Sequence, residues 1–451
     1  MLGIARKIAP RFLVSWYHFM MALVAAFIYG FPSRKLTVIG VTGTNGKSTT
    51  VEMISRILES GGKKTASLSS VRFRIGDKEQ RNTLKMTMPG RFFVQRFLRR
   101  AVKEGCTHAV LEITSEGIMQ HRHRFINFHT AVFTNLSPEH IERHGSFEKY
   151  RETKGLLFRA AKEAHVINLD DEHAEYFLQF SARTIFGYRI PGTRTPIRGE
   201  EVLQIIEAKV SADEGDPPGG EAGGVRFSIG DTQFRLKLLG AFNVSNALAA
   251  VCAGLSQGIS MQACKTALES IENMPGRMEL VIREPFEVFV DYAFTPAALE
   301  KVYKTLRSRL SARVPQGKLL CILGAAGGGR DTWKRPILGK IAATYCDTVI
   351  VANEDPYDED PQKIIDEVVA GAEHISINQQ YPHKSATLKI LDRREAIRSV
   401  FLRAGSGDIV IITGKGSEDS IAWAKGKKTP WDDREVVKEE MQKLDKTSQI
   451  G

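Results

Sequence analysis

The stretch Val41–Thr50 reads VTGTNGKSTT. Binding a phosphate takes backbone N–H groups that crowd an anion, a lysine that neutralises it and a hydroxyl that reaches a divalent cation. Gly43, Thr44, Asn45, Gly46, Lys47, Ser48 and Thr49 supply these groups in one run. The generic pattern GxxxxGK[ST] fails, because its first glycine falls on Val41. Downstream, Glu112 closes the apolar run HAVLEI and His140 follows the run TAVFT, where a parallel sheet presents ligands at its carboxyl ends. Taken alone, His140 is one of several histidines between 108 and 144, and Lys154 is a lysine on an expected helix one turn beyond Tyr150.

These residues need elements to hold them. Leu36–Val41 is a short apolar run, and Val51, Ile54, Ile57 and Leu58 recur at helical spacing before Gly61 and Gly62, so strand, loop and helix are expected. Apolar runs at 108–113, 130–134 and 165–169 predict further buried strands with helical patterns between them, a parallel sheet covered on both faces. SADEGDPPGGEAGG, at 211–224, predicts an exposed loop, followed by strand-like 225–239 and a helix from about Val244 to Leu255. A second series starts near Glu287: VFVDY, a helix around Pro296–Leu310, KLLCILG, DTVIVAN, a helix near 361–371 and DIVIIT. The tail from about Val436 is charged, and helical or frayed. The expected fold is α/β: a P-loop-type central parallel-sheet domain over 36–280, then a Rossmann-like α/β domain over 281–451, behind an N-terminal segment, 1–35.

Composition is that of a folded protein, 42% hydrophobic and 25% charged over 451 residues. The net charge of +11 suits a polyanionic partner. Without an arginine-rich run interleaved with aromatics, nucleic acid is not the expected one. Five widely spaced cysteines, with no CxxC, point to a reducing compartment and no structural metal. From Phe12 to Ser33 there is no Lys, Arg, Asp or Glu, while Arg6, Lys7, Arg11, Arg34 and Lys35 flank the stretch. Two readings stay open: contact with a membrane, and a helix packed on the protein's own body. A nucleotide loop directly downstream argues for the cytoplasm, at most at the inner face of the membrane.

The variant GTNGK[ST] resembles the loop of the Mur ligase superfamily of ATP-dependent amide-forming ligases. Other stretches resemble its landmarks in the same order: LEITSEG (Leu111–Gly117), QHR (Gln120–Arg122), FTNLSPEHIERHGSFEKYRETKGLLF (Phe133–Phe158), FNVSNALAA (Phe242–Ala250), MPGRME (Met274–Glu279), VDYAFTP (Val290–Pro296), GGGRDTWKRP (Gly327–Pro336), NEDPYDEDP (Asn353–Pro361) and GKGSE (Gly414–Glu418). The likeness runs over about 36–435. It is nearest to the UDP-N-acetylmuramoyl-peptide synthetases that add the third residue of the peptidoglycan stem, the MurE type.

The resemblance implies ATP and Mg²⁺. It puts Lys47 and Ser48 at the γ-phosphate, and Ser48, Glu112, His140 and a carbamylated Lys154 on the metals. It places Asn243 and Asn246 near the adenine, Asp291 near the ribose, and Arg277 at domain closure; capping of the Val244 helix is the alternative for the asparagines. Thr87, Thr114, Gln120 and Arg122 would touch a muramyl-peptide-like donor, and Arg335, Asp355, Gly414 and Glu418 an amino acid acceptor. The implied product is an amide in cell-wall precursor synthesis, made by a monomer. Carbon dioxide adds only to a neutral amine, so Lys154 needs burial or cationic neighbours to lower its pKa.

Departures accompany the likeness. Family members carry an N-terminal domain that grips uridine diphosphate, where this chain has the apolar segment, so a donor without that nucleotide, or one carried on a lipid, is to be considered. Two customary histidines are replaced by Glu116 and Phe294. The acceptor motif DNPR reads Glu354, Asp355, Pro356, Tyr357, which removes the arginine a distal carboxylate would need and disfavours diaminopimelate. The acidic pair suits a cationic or zwitterionic acceptor. Two rival functions remain: a folylpolyglutamate- or cyanophycin-type ligase of the same superfamily, and a membrane-attached nucleotide-binding subunit without ligase activity.

Overall fold

The computed structural model describes residues 10–191, 204–211, 224–313, 317–373 and 385–448. Most of the Pro/Gly-rich loop expected at 211–224, together with Arg6 and Lys7, lies outside them.

The first sheet contains β1 (Thr37–Thr42), β2 (Thr65–Leu68), β3 (Arg72–Ile75), β4 (Lys78–Arg81), β5 (His108–Glu112), β6 (Phe128–Phe133), β7 (Ala164–Asn168), β8 (Thr184–Arg189), β9 (Gln204–Val210), β10 (Val225–Ile229) and β11 (Thr232–Leu236). Their spatial order is β11-β10-β9-β8-β7-β6-β1-β5-β2-β3-β4. From β9 to β2 every pairing is parallel, and antiparallel strands close both edges. The parallel strands read as unbroken apolar runs because both faces are covered. Helices Lys47–Ser60, Phe242–Leu255 and Met261–Glu269 bury Ile54, Ile57 and Val251 against one face. Helices Arg91–Lys103 and Phe147–Ala160 bury Leu98 and Leu157 against the other.

The second sheet comprises β12 (Glu279–Ile282), β13 (Glu287–Val290), β14 (Leu319–Leu323), β15 (Thr348–Val351), β16 (Ala386–Lys389) and β17 (Ile409–Ile412), in the order β12-β13-β17-β14-β15-β16. Only β12 runs antiparallel to its neighbour. Met274 packs in the core of the first lobe and Met278 in that of the second, so the chain crosses just ahead of 280. A hairpin of β18 (Ser420–Ala422) and β19 (Lys428–Pro430) precedes the last helix, Asp433–Ser448.

The apolar N-terminal segment forms the helix Arg11–Ile28, which packs on Arg91–Lys103. A 3-10 turn, Pro32–Lys35, then feeds β1. Among the described residues no helix is long and apolar enough to cross a membrane.

Candidate active site

The phosphate loop leaves β1 and enters the helix Lys47–Ser60 through Gly46, whose φ of 82° is left-handed. A Cβ there would lie 2.3 Å from Asn246 Oδ1, and one on Gly43 would lie 2.0 Å from Thr134 Oγ1. Both glycines are therefore required by closeness as well as by torsion. Asn45 N–H donates to Asn135 Oδ1 at 2.9 Å, and Thr44 Oγ1 lies 3.1 Å from the Tyr150 hydroxyl, so neighbouring loops brace the turn.

Glu112, at the end of β5, accepts from Ser48 Oγ at 2.9 Å and from the Ser70 N–H at 2.8 Å, with Lys47 Nζ 4.0 Å away. Lys47 donates to the Thr44 carbonyl at 2.9 Å. Burial lowers its pKa, while Glu112 pulls it back up. Lys154 is 1% exposed, with Nζ donating to the Gly43 carbonyl at 2.8 Å and lying 4.6 Å from the centre of the Tyr150 ring. It makes no ion pair among the described residues. Burial, and then the charge of Lys47, holds its pKa well below the ordinary lysine value. That is the condition a carbamylated lysine requires.

His140 lines the same cleft with a left-handed φ of 57°. Burial, and then the charges of Arg330, Lys154, Lys334 and Lys47, depress its pKa, leaving the neutral, ligating form of imidazole. Beside it stands Glu139, which the sequence reading did not single out. Lys334 donates to its Oε1 at 2.8 Å, whereas its buried Oε2 accepts no hydrogen bond among the described residues. No three His, Cys, Asp or Glu side chains among those residues form a metal cage by themselves. The donor set nonetheless fits Mg²⁺, which takes one or two carboxylates and fills its remaining positions with phosphate and water oxygens. Glu112, the orphaned Glu139 oxygen and Ser48 are hard oxygen donors of that kind, and His140 adds a neutral imidazole nitrogen beside them.

The cleft measures about 340 Å³ and is walled by both lobes. Asn243, Asn246, Arg277 and Asp291 line it. Neither asparagine caps its helix: Asn243 donates to the Leu239 carbonyl at 2.8 Å and Asn246 donates to Asn243 Oδ1 at 3.0 Å. Asp291 accepts from the N–H groups of Met278 and Ala293, both at 2.6 Å, and burial raises its pKa. Arg277 lies over the Tyr292 ring at 4.2 Å and donates to Ser70 Oγ at 3.2 Å, linking the lobes. Asp331 accepts from the N–H groups of Ile141 and Glu142 and strengthens the same seam.

Of the residues expected to touch the donor, Thr87, Thr114 and Arg122 line the cleft. Gln120 does not; its Oε1 accepts from Arg122 at 2.7 Å, so it positions that arginine. Of the four residues expected to touch the acceptor, only Glu418 lines the cleft. Arg335 is fully buried between Glu359 and Glu367, at 2.7 Å from each, because it begins the helix Lys334–Tyr345 and turns onto the helix Pro361–Glu373. Arg330, in the glycine-rich loop before that helix, lines the cleft instead. Gly414 packs against Glu354, and its φ of 105° with a Cβ clash at 2.4 Å explains the glycine.

Asp355 is already taken. Lys85 reaches it from the first lobe at 3.1 Å, Lys415 at 2.9 Å and the Ala422 N–H at 2.6 Å. Burial alone would raise its pKa, but the two lysines outweigh it and the pKa falls. Burial, and then Asp355, pushes Glu354 up to about 7. The expectation that this acidic pair receives a cationic acceptor is therefore corrected for Asp355, whose charge is met by the protein's own lysines. Lys85 comes from a loop with no motif, and only its exposure to the cleft identifies it.

The model of the Mur ligase middle domain matches residues 41–254, and that of the Mur ligase glutamate ligase domain matches 276–416. A UDP-N-acetylmuramyl-tripeptide synthetase of Roseiflexus sp. (strain RS-1) is 36% identical over 432 residues, covering 92% of this chain and 80% of that protein. A UDP-N-acetylmuramoyl-L-alanyl-D-glutamate--2,6-diaminopimelate ligase of Syntrophomonas wolfei is 35% identical, over 93% and 81%. A solved structure of a ligase of that second name superposes with a TM-score of 0.56 at 30% identity, over 91% of this chain and 79% of the other. The folylpolyglutamate synthase of Mycobacterium tuberculosis reaches a TM-score of 0.68 over 88% and 93%, but at 16% identity it shows the shared fold alone. With both family models matched and relatives this similar along most of their length, the chain belongs to the Mur ligase family of ATP-dependent amide-forming ligases.

Proposed function

We propose that this chain joins the carboxylate of a muramyl-peptide-like donor to the amino group of an amino acid in cell-wall precursor synthesis. The observation that carries this reading is the meeting, in one cleft between two lobes, of a phosphate loop, two buried carboxylates and a lysine with no ion-pair partner among the described residues.

An amide does not form from a carboxylate until its oxygen becomes a leaving group. The γ-phosphoryl group of ATP moves to the donor carboxylate, giving ADP and an acyl phosphate. The acceptor amine then attacks the carbonyl carbon, the C–O bond to phosphate breaks, and inorganic phosphate and a proton leave. Lys47 faces the developing charge on the transferring phosphoryl group, and the loop N–H groups hold the neighbouring oxygens. Mg²⁺ bound by Ser48, Glu112, Glu139, His140 and carbamylated Lys154 would neutralise phosphate charge. Thr87, Thr114 and Arg122 face the donor, and Arg330, Lys85 and Glu418 the acceptor. Further closure of the two lobes over bound substrates would exclude water, which would hydrolyse the acyl phosphate. A cytoplasmic setting follows from ATP as co-substrate.

The test combines ATP with muramyl-peptides bearing or lacking a uridine diphosphate head, crossed with a panel of amino acids, and reads phosphate and product mass. A product heavier by one amino acid residue is expected, and Lys47→Ala should cut its rate about a thousandfold or more. Phosphate release without an amide product in every combination, or wild-type turnover by Lys47→Ala, defeats the reading.

A further inference from the structure

The described residues include thirteen large hydrophobic side chains exposed to solvent, and seven of them lie on the single helix Arg11–Ile28. Phe27 is 76% exposed, Phe12 70%, Trp16 63%, Ile28 61%, Tyr17 54% and Val24 40%. Their spacing puts them on one continuous stripe from the first turn of the helix to the last. The opposite stripe, His18, Ala22, Ala25 and Ala26, is buried against the protein. An apolar face of this size on a helix held at the surface marks an interaction site.

We infer that this face adsorbs to an anionic membrane surface, with the helix lying in the plane of the interface. Spanning is ruled out by length and by attachment. Eighteen residues rise only about 27 Å, short of the hydrocarbon core of about 30 Å. The helix is also tied to the body: Ser15 Oγ lies 2.8 Å from His121 Nε2, Phe19 packs on His121 and Phe125, and His18 meets Arg91. Aromatic rings interleaved with aliphatic ones along the exposed stripe are the composition of an interfacial helix.

Charge selects the partner. The first acidic residue of the chain is Glu52, whereas Arg11 opens the helix and Arg34 and Lys35 follow it in sequence. Arg34 and Lys35 are exposed directly after it, and Arg124 is exposed in the loop on which Phe19 packs. Exposed basic side chains after the apolar stripe and in the neighbouring loop form a basic rim on those sides and complement anionic headgroups. The same rim disfavours a second copy of this chain, since an isologous contact would oppose like charges. Adsorption would also orient the cleft: Arg91, which touches His18, donates to the Gln120 carbonyl at 3.2 Å, and Gln120 holds the donor-facing Arg122. The donor end of the cleft would then open beside the headgroups.

This inference does not rest on the proposed reaction, and the experiment uses no substrate. The full chain is sedimented with vesicles of phosphatidylcholine, alone or mixed with phosphatidylglycerol. It should bind the mixed vesicles, release with added salt, and lose about tenfold or more of its partitioning in the double variant Trp16→Ser/Phe27→Ser. In the wild type, brominated lipids should quench tryptophan fluorescence, and Trp16→Phe should abolish that quenching with little change to the surface. Absence of binding to the mixed vesicles, equal binding by the double variant, or quenching unchanged in Trp16→Phe overturns the inference. So does a lipid-free dimer that the double variant splits in sedimentation velocity, because the face then belongs to a second copy.

Discussion

On one side of the cleft, the groups expected to meet a phosphate come from one ten-residue stretch, Val41–Thr50, and their positions follow from the backbone torsion of Gly46. On the side proposed to hold the acceptor no stretch suffices. Lys85 comes from the loop after β4, Arg330 from the loop after β14, Glu354 and Asp355 from the loop after β15, and Lys415 and Glu418 from the loop after β17. A loop set by local torsions retains its chemistry wherever the sequence retains its glycines. A site set by charge pairs between distant segments depends on which partner each charge finds, and one substitution re-pairs the rest.

Lys154 gives the largest break in this comparison, because it contacts the loop but sits on a different helix. Lys154→Ala should lower the amide-forming rate about a hundredfold to a thousandfold. Added short carboxylic acids should recover part of it by restoring an anion in the space. Stripping carbon dioxide from the buffer should inactivate the wild type reversibly. An enzyme indifferent to carbon dioxide, whose alanine variant no carboxylate rescues, would limit Lys154 to bracing Gly43.

Lys85 tests the other side. Lys85→Ala removes a cation shared by Asp355 and Glu418, from the lobe opposite theirs. The KM for the amino acid should rise about tenfold, with the KM for ATP unchanged, as for an interaction made in both the bound and the transition state. A rise in both KM values would show that Lys85 holds the lobes together instead of meeting the acceptor.

The same contrast explains what the sequence discloses. The strands β1, β5, β6 and β7 are legible because burial on both faces writes them as unbroken apolar runs. β16, with the sequence ATLK at an exposed edge, carries no such mark, and the helices Lys334–Tyr345 and Arg393–Phe401 were equally silent. Lys47 and Ser48 are legible because the strand-loop-helix unit fixes them locally, and Glu112 because it ends the apolar run of β5. Arg335 was not: it lies five positions after Arg330 in GGGRDTWKRP, and only the start of the helix at Lys334 decides which arginine faces the cleft. Glu139 had a usable signal, standing next to His140. Nothing local to Asp355 reveals that two lysines, one of them from the other lobe, already hold it.

Glu354 offers the smallest and most specific test. Its carboxyl is buried, its Oε2 accepts no hydrogen bond among the described residues, and burial followed by repulsion from Asp355 raises its pKa from 4.5 to about 7. The folded state therefore holds this proton more tightly than the unfolded state does. The stabilisation is complete below about pH 4.5 and is lost as pH rises through about 7, where the native carboxyl must ionise in a dry, like-charged site. Glu354→Gln keeps the shape and removes the titration. The melting temperature of the variant minus that of the wild type should increase from acid pH to a plateau above neutrality, with the variant the more stable at about pH 8. A difference independent of pH would mean that Lys415 and Arg393 compensate the carboxylate fully, and that the acceptor side is as tightly self-paired at Glu354 as it is at Asp355.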